Sequence, residues 1–488
     1  MVDTSWLPLV VVLSLLLGAC GGDETAPQAG VDASATALPA DPPRPNDQGL
    51  DSLQDPTDQD PTDQDPTGQS TIGVPSEVAP PPDTSAPPID PSTAVDQIVA
   101  AMSVEQKVGQ LFTATVIGDD ATEVSESAAT ANLSLYGVAT PAEVVRRYHL
   151  GGVAYFDHDQ GPGTSNVADL QRTATLSQGL QQAVVSDTGI GLLIGTDQEG
   201  GPVVRLNAPF TVFPAAREIG DSGEVALAEQ AGQVTGIEAQ AVGVNWIYAP
   251  VADVNVNPDN PVIGDRAFGT TADRVVPFVL ATAQGLADAG VLPTLKHFPG
   301  HGDTAIDSHT SLPTIDHDRA TLDTVDLPPF AVAADLSQQG SAVSVMVGHL
   351  AVPAVDPSGV PATISPTILS LLRDDLAFDG LVVTDAMNMG ALDGFGDSGS
   401  LAVQAINAGI DMVLMPSDLP LAWNAVAQAV AEGEISAARL DQAVTRILQA
   451  KDSVGVLDAG AINPGDMSAI GSPSHGQVLA DIKQACGC

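Results

Sequence analysis

Apolar residues along this chain recur in short continuous runs, at 109–116, 151–156, 191–196, 243–249, 290–295, 341–347, 380–384 and 409–415, most of them introduced by glycine. Between them lie stretches with helical periodicity, such as 224–242 and 421–430, where apolar positions return every three to four residues. A continuous apolar strand is buried on both faces, and strands of that kind separated by helices make a parallel sheet. Eight of them within about 350 residues suit an α/β fold built as a closed (β/α)8 barrel of TIM type. An open doubly wound sheet is the alternative, and it is weakened because no glycine-rich phosphate fingerprint follows the first run. A capping-box pattern, Ser103-Val104-Glu105-Gln106, predicts a helix start at the entrance to the folded region.

The pattern changes upstream of residue 96. Residues 7–17 form an apolar run too short to span a bilayer, and Gly18-Ala19-Cys20 follows it. With Leu17 ahead of it, this segment resembles a bacterial lipobox. That resemblance implies a signal peptide over 1–19, cleavage before Cys20, a lipid anchor on the Cys20 thiol and an extracytoplasmic, membrane-anchored place in the cell envelope. The lead-in carries Asp3 and no Lys or Arg, where a signal peptide ordinarily starts positively charged. Residues 20–95 are rich in Pro, Asp, Thr, Gln and Ser, with a repeating Asp-Pro-Thr-Asp-Gln unit. Such a stretch buries too little apolar surface to offset its ordering entropy, so it is predicted to be a disordered tether. The folded domain is then expected over 96–457, with a tail over 458–488.

Charge narrows the partners. With 61 acidic against 16 basic residues, the formal net charge is −45, which argues against nucleic acid or an anionic surface as a ligand. Only about −13 of it lies in residues 21–92, so the folded part is itself strongly acidic. The remaining cysteines, Cys486 and Cys488, are one residue apart at the end of the chain. That spacing disfavours a bridge between them and offers no further ligands for a metal, so neither a disulfide framework nor a structural zinc is expected.

In a barrel of this kind chemistry sits where the strands end. Run three is closed by Asp197-Gln198-Glu199-Gly200-Gly201, run five by Lys296-His297-Phe298-Pro299-Gly300-His301-Gly302, run six by His349 and run seven by Asp385. Gly264-Asp265-Arg266-Ala267-Phe268-Gly269 lies between runs four and five. Each alone has an ordinary structural reading: Asp385 as a helix cap, Lys296 as a structural cation, Arg266 as a pin for a loop. Together they put convergent charged groups on one end of the barrel, which calls for a polar ligand.

The stretch that begins at Lys296, continues through Asp307-Ser308-His309 and ends at Leu312-Pro313 resembles the signature of the β-N-acetylglucosaminidase branch of glycoside hydrolase family 3. The segment from Asp197 to Arg205, the Arg266 segment, Pro361-Ala362-Thr363-Ile364-Ser365 and Phe378-Asp379-Gly380-Leu381-Val382-Val383-Thr384-Asp385 match further motifs of that family in the same order, and the likeness runs from Met102 to Leu457. It implies a retaining exo-enzyme that releases terminal β-linked N-acetylglucosamine from short cell-wall glycosides, with no metal or cofactor. By the same resemblance Asp385 is the nucleophile that forms a glycosyl-enzyme ester, and His309 is the acid/base, oriented by Asp307. Asp197, Arg205, Arg266, Lys296 and His297 hold the N-acetylglucosamine unit, with His349 a weaker candidate.

Two departures stand out. Ala386 follows Asp385 where many relatives carry a second acid, and no sandwich-like domain is recognisable after the barrel, which makes the two-domain β-glucosidases poorer models. Few aromatics, 3% of residues, speak against a long stacking groove for polysaccharide. Other readings remain open: a phosphorylase, because a neutral histidine repels an anionic acceptor less than a carboxylate does, a β-glucosidase, or a non-catalytic sugar-binding lipoprotein.

Overall fold

A computed structural model of the chain describes residues 94–158, 161–461 and 465–488. Cys20 and the acidic stretch as far as residue 93 lie outside them. Each of the eight apolar runs becomes one strand: β1 Phe112–Thr115, β2 Gly152–Ala154, β3 Leu193–Thr196, β4 Trp246–Ile247, β5 Leu292–Phe298, β6 Ser344–Val347, β7 Leu381–Thr384 and β8 Val413–Leu414. The sheet order is β8-β1-β2-β3-β4-β5-β6-β7, and all its pairings are parallel. The first and last members meet through a Val383–Met412 bridge, with the Thr384 amide donating to the Met412 carbonyl at 3.1 Å. The sheet thus curls into a nearly closed barrel, and the strand ends converge on one rim.

The barrel interior is packed. Trp246 is fully buried, and its indole N–H is satisfied by Thr294 Oγ1 at 2.8 Å and Ser344 Oγ at 3.1 Å, as a buried donor requires. Outside, helices Val225–Ala241 and Ala272–Asp288 approach closely because glycine stands at the contact. A Cβ on Gly285 would lie 2.0 Å from the Glu229 carbonyl, and one on Gly232 would lie 2.4 Å from that of Thr282. The capping box forms as predicted: the Gln106 amide donates to Ser103 Oγ at 3.2 Å, and the Ser103 amide to Gln106 Oε1 at 3.0 Å.

Strand five runs further than its apolar stretch. It continues through Lys296 and His297 to Phe298, with an irregular register against β6 between Leu295 and Phe298, so both polar side chains sit on the strand rather than after it. The end of the chain also corrects the sequence reading. Residues Pro473–Cys486 form a helix whose cap, Gly487, has φ 72°, and Cys486 and Cys488 are joined by a disulfide with their Cα atoms 5.4 Å apart. The left-handed glycine turns the chain back on itself and brings the two sulfurs within bonding reach despite the short spacing.

At the opposite rim, Asp411 precedes β8 with no exposure to solvent. Its carboxylate accepts from Arg373 Nη2 at 2.6 Å, Arg439 Nη2 at 3.2 Å, Arg446 Nη1 at 3.3 Å and the Val382 amide at 3.1 Å. Burial pushes its carboxyl up, but the three guanidiniums outweigh that and hold it below the usual 3.8. Stabilisation from this pairing is therefore complete at neutral pH and is lost only as the pH falls below 3.8 toward the depressed folded value. Asp411→Asn leaves three guanidiniums around a neutral group, and breaking a buried charge cluster in this way is expected to cost about 3–5 kcal/mol. Denaturant unfolding at pH 7 checks this; a loss under about 1 kcal/mol would assign the cluster a surface-like weight.

Candidate active site

The charged groups at the end of β3 form one network. Lys296 Nζ, on β5, lies 2.8 Å from Asp197 Oδ1 and 2.7 Å from Glu199 Oε1. Arg266 grips Glu199 with both arms, Nε to Oε2 at 2.9 Å and Nη2 to Oε1 at 2.8 Å. Arg205 Nη2 reaches Asp197 Oδ2 at 3.4 Å, and its guanidinium lies over the Phe156 ring at 5.2 Å. Burial raises the Glu199 carboxyl, yet Arg266 and Lys296 hold it well below the carboxylate range. Glu199 has 4% of its side chain exposed while Asp197 keeps 17%. The outer carboxylate, Asp197, is thus the one that can meet a ligand hydroxyl, and Glu199 fixes the two cations.

His297 is oriented from behind. Its Nδ1 donates to Asp253 Oδ2 at 2.7 Å, while Asp253 Oδ1 accepts the backbone amides of His297 at 3.1 Å and His301 at 2.7 Å. That arrangement sets the tautomer and turns Nε2 outward, 3.4 Å from Arg266 Nη2. Neither Glu199 nor Asp253 stood among the sequence-derived site residues. Glu199 was visible as the acid between Asp197 and the glycine pair, whereas Asp253 lies four residues past the apolar run of β4, in a loop with no pattern of its own.

Asp385 closes β7, half-buried, with its amide donating to the Val347 carbonyl at 2.8 Å. Desolvation pushes its carboxyl up. The field of His297, the Ala386 amide at 2.7 Å from Oδ1 and the Lys296 ammonium together exceed that and keep it below 3.8. It is ionised at neutral pH. His349, the weaker candidate for sugar contact, has a different place. It is fully buried, with Nε2 donating to the Ala386 carbonyl at 3.0 Å and Nδ1 accepting from Thr363 Oγ1 at 3.0 Å. Both nitrogens are engaged, so His349 braces the backbone next to Asp385 instead of reaching a ligand. Thr363 belongs to the Pro361 to Ser365 motif, whose presence is explained by this brace.

The loop after β5 carries the third group. His309 Nδ1 donates to Asp307 Oδ1 at 2.8 Å, and the same oxygen accepts the His309 amide at 2.9 Å. Burial raises Asp307, but the two bonds from His309 and its nearby ring hold it below 3.8. The ring of His309 is 64% exposed and presents Nε2 outward. Two backbone bonds tie this loop to the segment just past Asp385, Gly390 N to His309 O at 3.2 Å and Ala391 N to Ser308 O at 3.1 Å. A Cβ at Gly390 would lie 2.8 Å from the His309 carbonyl, so glycine permits the contact. Inside the loop His301 bonds Thr304 Oγ1 at 2.6 Å and Ser308 Oγ at 3.1 Å. Burial and the adjacent His297 push it down to about 4, so it acts as a neutral strut.

One end of the barrel thus carries a network of charged side chains, an ionised aspartate at the end of β7 and a histidine–aspartate pair on the loop after β5, and glycoside cleavage can use a carboxylate and a proton donor of these kinds. The glycosyl hydrolase family 3 N-terminal domain matches residues 103–450. Among curated proteins, β-hexosaminidase A of Pseudoalteromonas piscicida is 34% identical over 70% of this chain and 60% of its own length. The β-hexosaminidase LpqI of Mycobacterium tuberculosis is 35% identical over 66% of this chain and 81% of its own. Among solved structures, a glycoside hydrolase family 3 β-N-acetylglucosaminidase from Paenibacillus superposes with a TM-score of 0.69 at 38% identity, over 79% of this chain and 69% of that one. Fold and likeness agree, and the chain belongs to glycosyl hydrolase family 3 and is a glycoside hydrolase.

Proposed function

We propose that this protein is a retaining exo-β-N-acetylglucosaminidase acting on short, muropeptide-type cell-wall glycosides. Asp385 is its nucleophile, His309 with Asp307 its acid/base, and Asp197, Arg205, Arg266, Lys296 and His297 its sugar-binding groups. The observation that carries the reading is the His309–Asp307 pair. A carboxylate that accepts both the ring N–H and the amide of the same histidine fixes the ring's orientation and leaves Nε2 free, which supports a role in giving a proton to the leaving oxygen and later taking one from water. In the first half of the reaction Asp385 Oδ attacks the anomeric carbon as the glycosidic bond breaks. In the second, water releases the sugar from the ester and retention follows from the two inversions.

The test uses the purified full-length protein with aryl β-N-acetylglucosaminide and aryl β-glucoside, each with and without inorganic phosphate. Turnover of the N-acetylglucosaminide, with free N-acetylglucosamine as product whether phosphate is present or not, is the expected result. Faster reaction with a sugar phosphate as product would favour the phosphorylase, preference for the glucoside would overturn the substrate assignment, and no turnover at all would leave only a sugar-binding module.

Envelope location is the second half of the proposal, and it is supported by the lipobox-like sequence ending in Cys20. The protein expressed in a bacterium is expected to partition into detergent, and Cys20→Ala to shift into the aqueous phase. Equal partitioning of the two would remove the anchor.

A further inference from the structure

We infer that the C-terminal segment, residues 465–488, positions the sugar-binding wall of the active site, with His475 and Glu238 as the coupling pair. The inference rests on the reading of Asp197 and Arg205 as sugar-binding groups. The segment lies beyond residue 450, where the family match ends, so the family assignment says nothing about it.

Glu238, on helix Val225–Ala241, is a carboxylate with 2% exposure. Its Oε1 accepts from His475 Nδ1 at 2.8 Å, the Gly471 amide at 2.9 Å and Thr211 Oγ1 at 2.8 Å, while Oε2 accepts the Thr211 amide at 2.6 Å. Among the described residues its one ion-pair partner is His475. A carboxylate this deeply buried requires such partners, so half of its satisfaction comes from the C-terminal segment and half from one residue of the 206–215 loop. Gly471 also lies against that loop directly, since a Cβ there would sit 2.6 Å from the Pro209 carbonyl.

The loop in turn supports the site. The Gly201 amide donates to the Phe213 carbonyl at 3.0 Å. Cβ atoms on Gly200 and Gly201 would lie 2.8 Å from the Pro214 carbonyl and 2.6 Å from Ala215 Cα, so the short hairpin of strands Gln198–Gly200 and Val203–Val204 rests on residues 213–215. Gln198 Oε1 closes the hairpin by accepting the amides of Arg205 at 3.1 Å and Leu206 at 2.9 Å. Asp197 enters this hairpin, Glu199 lies on it and Arg205 leaves it. A continuous chain of bonds therefore runs from His475 through Glu238 and Thr211 to the groups that would hold the sugar hydroxyls. Asp385 and the His309 loop are attached to other elements. Slackening the chain should weaken sugar binding and leave bond cleavage itself nearly unchanged, which makes His475, Glu238 and Thr211 positioning residues.

The experiment compares wild type with His475→Ala, His475→Asn and Thr211→Val, and with Ile482→Ala, which removes a fully buried apolar contact of the same C-terminal helix without touching the bonded chain. KM and kcat on the aryl N-acetylglucosaminide, dissociation of free N-acetylglucosamine by calorimetry and melting temperature are measured for each. His475→Ala is expected to raise KM and the sugar dissociation constant by about tenfold, within the range for coupling through a packed network, with kcat changed less than about threefold. Thr211→Val should follow the same pattern, and His475→Asn, whose amide N–H replaces the ring Nδ1–H, should recover most of the loss. Ile482→Ala should lower the melting temperature but leave KM within about twofold of wild type. Equal KM changes for His475→Ala and Ile482→Ala, or no recovery with Asn, would reduce the segment to a stabilising cover and overturn the inference. Wild type that neither binds nor turns over the sugar would instead refute the site reading. Should His475→Ala fail to fold, Thr211→Val and His475→Asn carry the same comparison.

Discussion

Asp385→Asn is expected to abolish turnover of every glycoside the protein accepts, with kcat reduced on the order of 10⁴–10⁶-fold, as for removal of other enzymatic nucleophiles. The substitution keeps shape and size. Its amide oxygen can still accept from the Ala386 amide, now 2.7 Å from Oδ1, so the backbone after β7 should hold. What it lacks is the anionic, nucleophilic oxygen that forms the ester, and no leaving group, however good, compensates for that. A slow fluorinated N-acetylglucosamine-type substrate should stop wild type at the ester and add its sugar mass to the peptide containing Asp385. Labelling of another carboxylate, or an Asn variant within tenfold of wild type, would refute the role. The depressed pKa makes a further claim with a definite sign: attack needs the ionised form, so the acid limb of kcat/KM that belongs to Asp385 lies below 3.8. An acid limb near pH 6 would have to come from some other group.

His309→Ala should show an effect that depends on the leaving group. A sugar alkoxide is a poor leaving group and needs a proton in the transition state, whereas an activated phenolate departs nearly unaided. On a natural disaccharide the loss should fall in the 10²–10⁴-fold range typical of general acid catalysis, and on an activated aryl glycoside the glycosylation step should be much less affected. Asp307→Ala keeps the imidazole but removes the oxygen that accepts both His309 N–H groups. It should follow the same trend more weakly, and the double variant should lose little more than His309→Ala alone because the two residues act as one unit. Measuring kcat/KM for a series of aryl leaving groups reads this as a slope. Equal losses on good and poor leaving groups would mean that His309 only binds substrate or holds its loop.

How much of this was readable beforehand depends on the distance over which each feature is decided. The eight strands were legible as eight apolar runs because burial of a parallel strand on both faces leaves its mark on consecutive residues. The polar residues that end those runs were legible for the same reason, since a barrel places them all on one rim. The Ser103–Gln106 cap was equally local. By contrast, Asp253 serves His297 from 44 positions upstream and Glu238 meets His475 across 237; no spacing rule connects such pairs. Glu199 stood in plain view, but its capture by Arg266 and Lys296 depends on the loop after β4 and strand β5 meeting the end of β3. His349 looked like a ligand for sugar by its position after β6, and the packing turned it inward to the Ala386 carbonyl. The Cys486–Cys488 bridge likewise waited on the left-handed turn at Gly487. The chain by itself therefore determined the strands, the rim and the residue types gathered there. Which of those residues face the sugar and which merely hold a neighbour was decided by tertiary structure, because a buried charge or N–H takes whatever partner packing brings within hydrogen-bond reach.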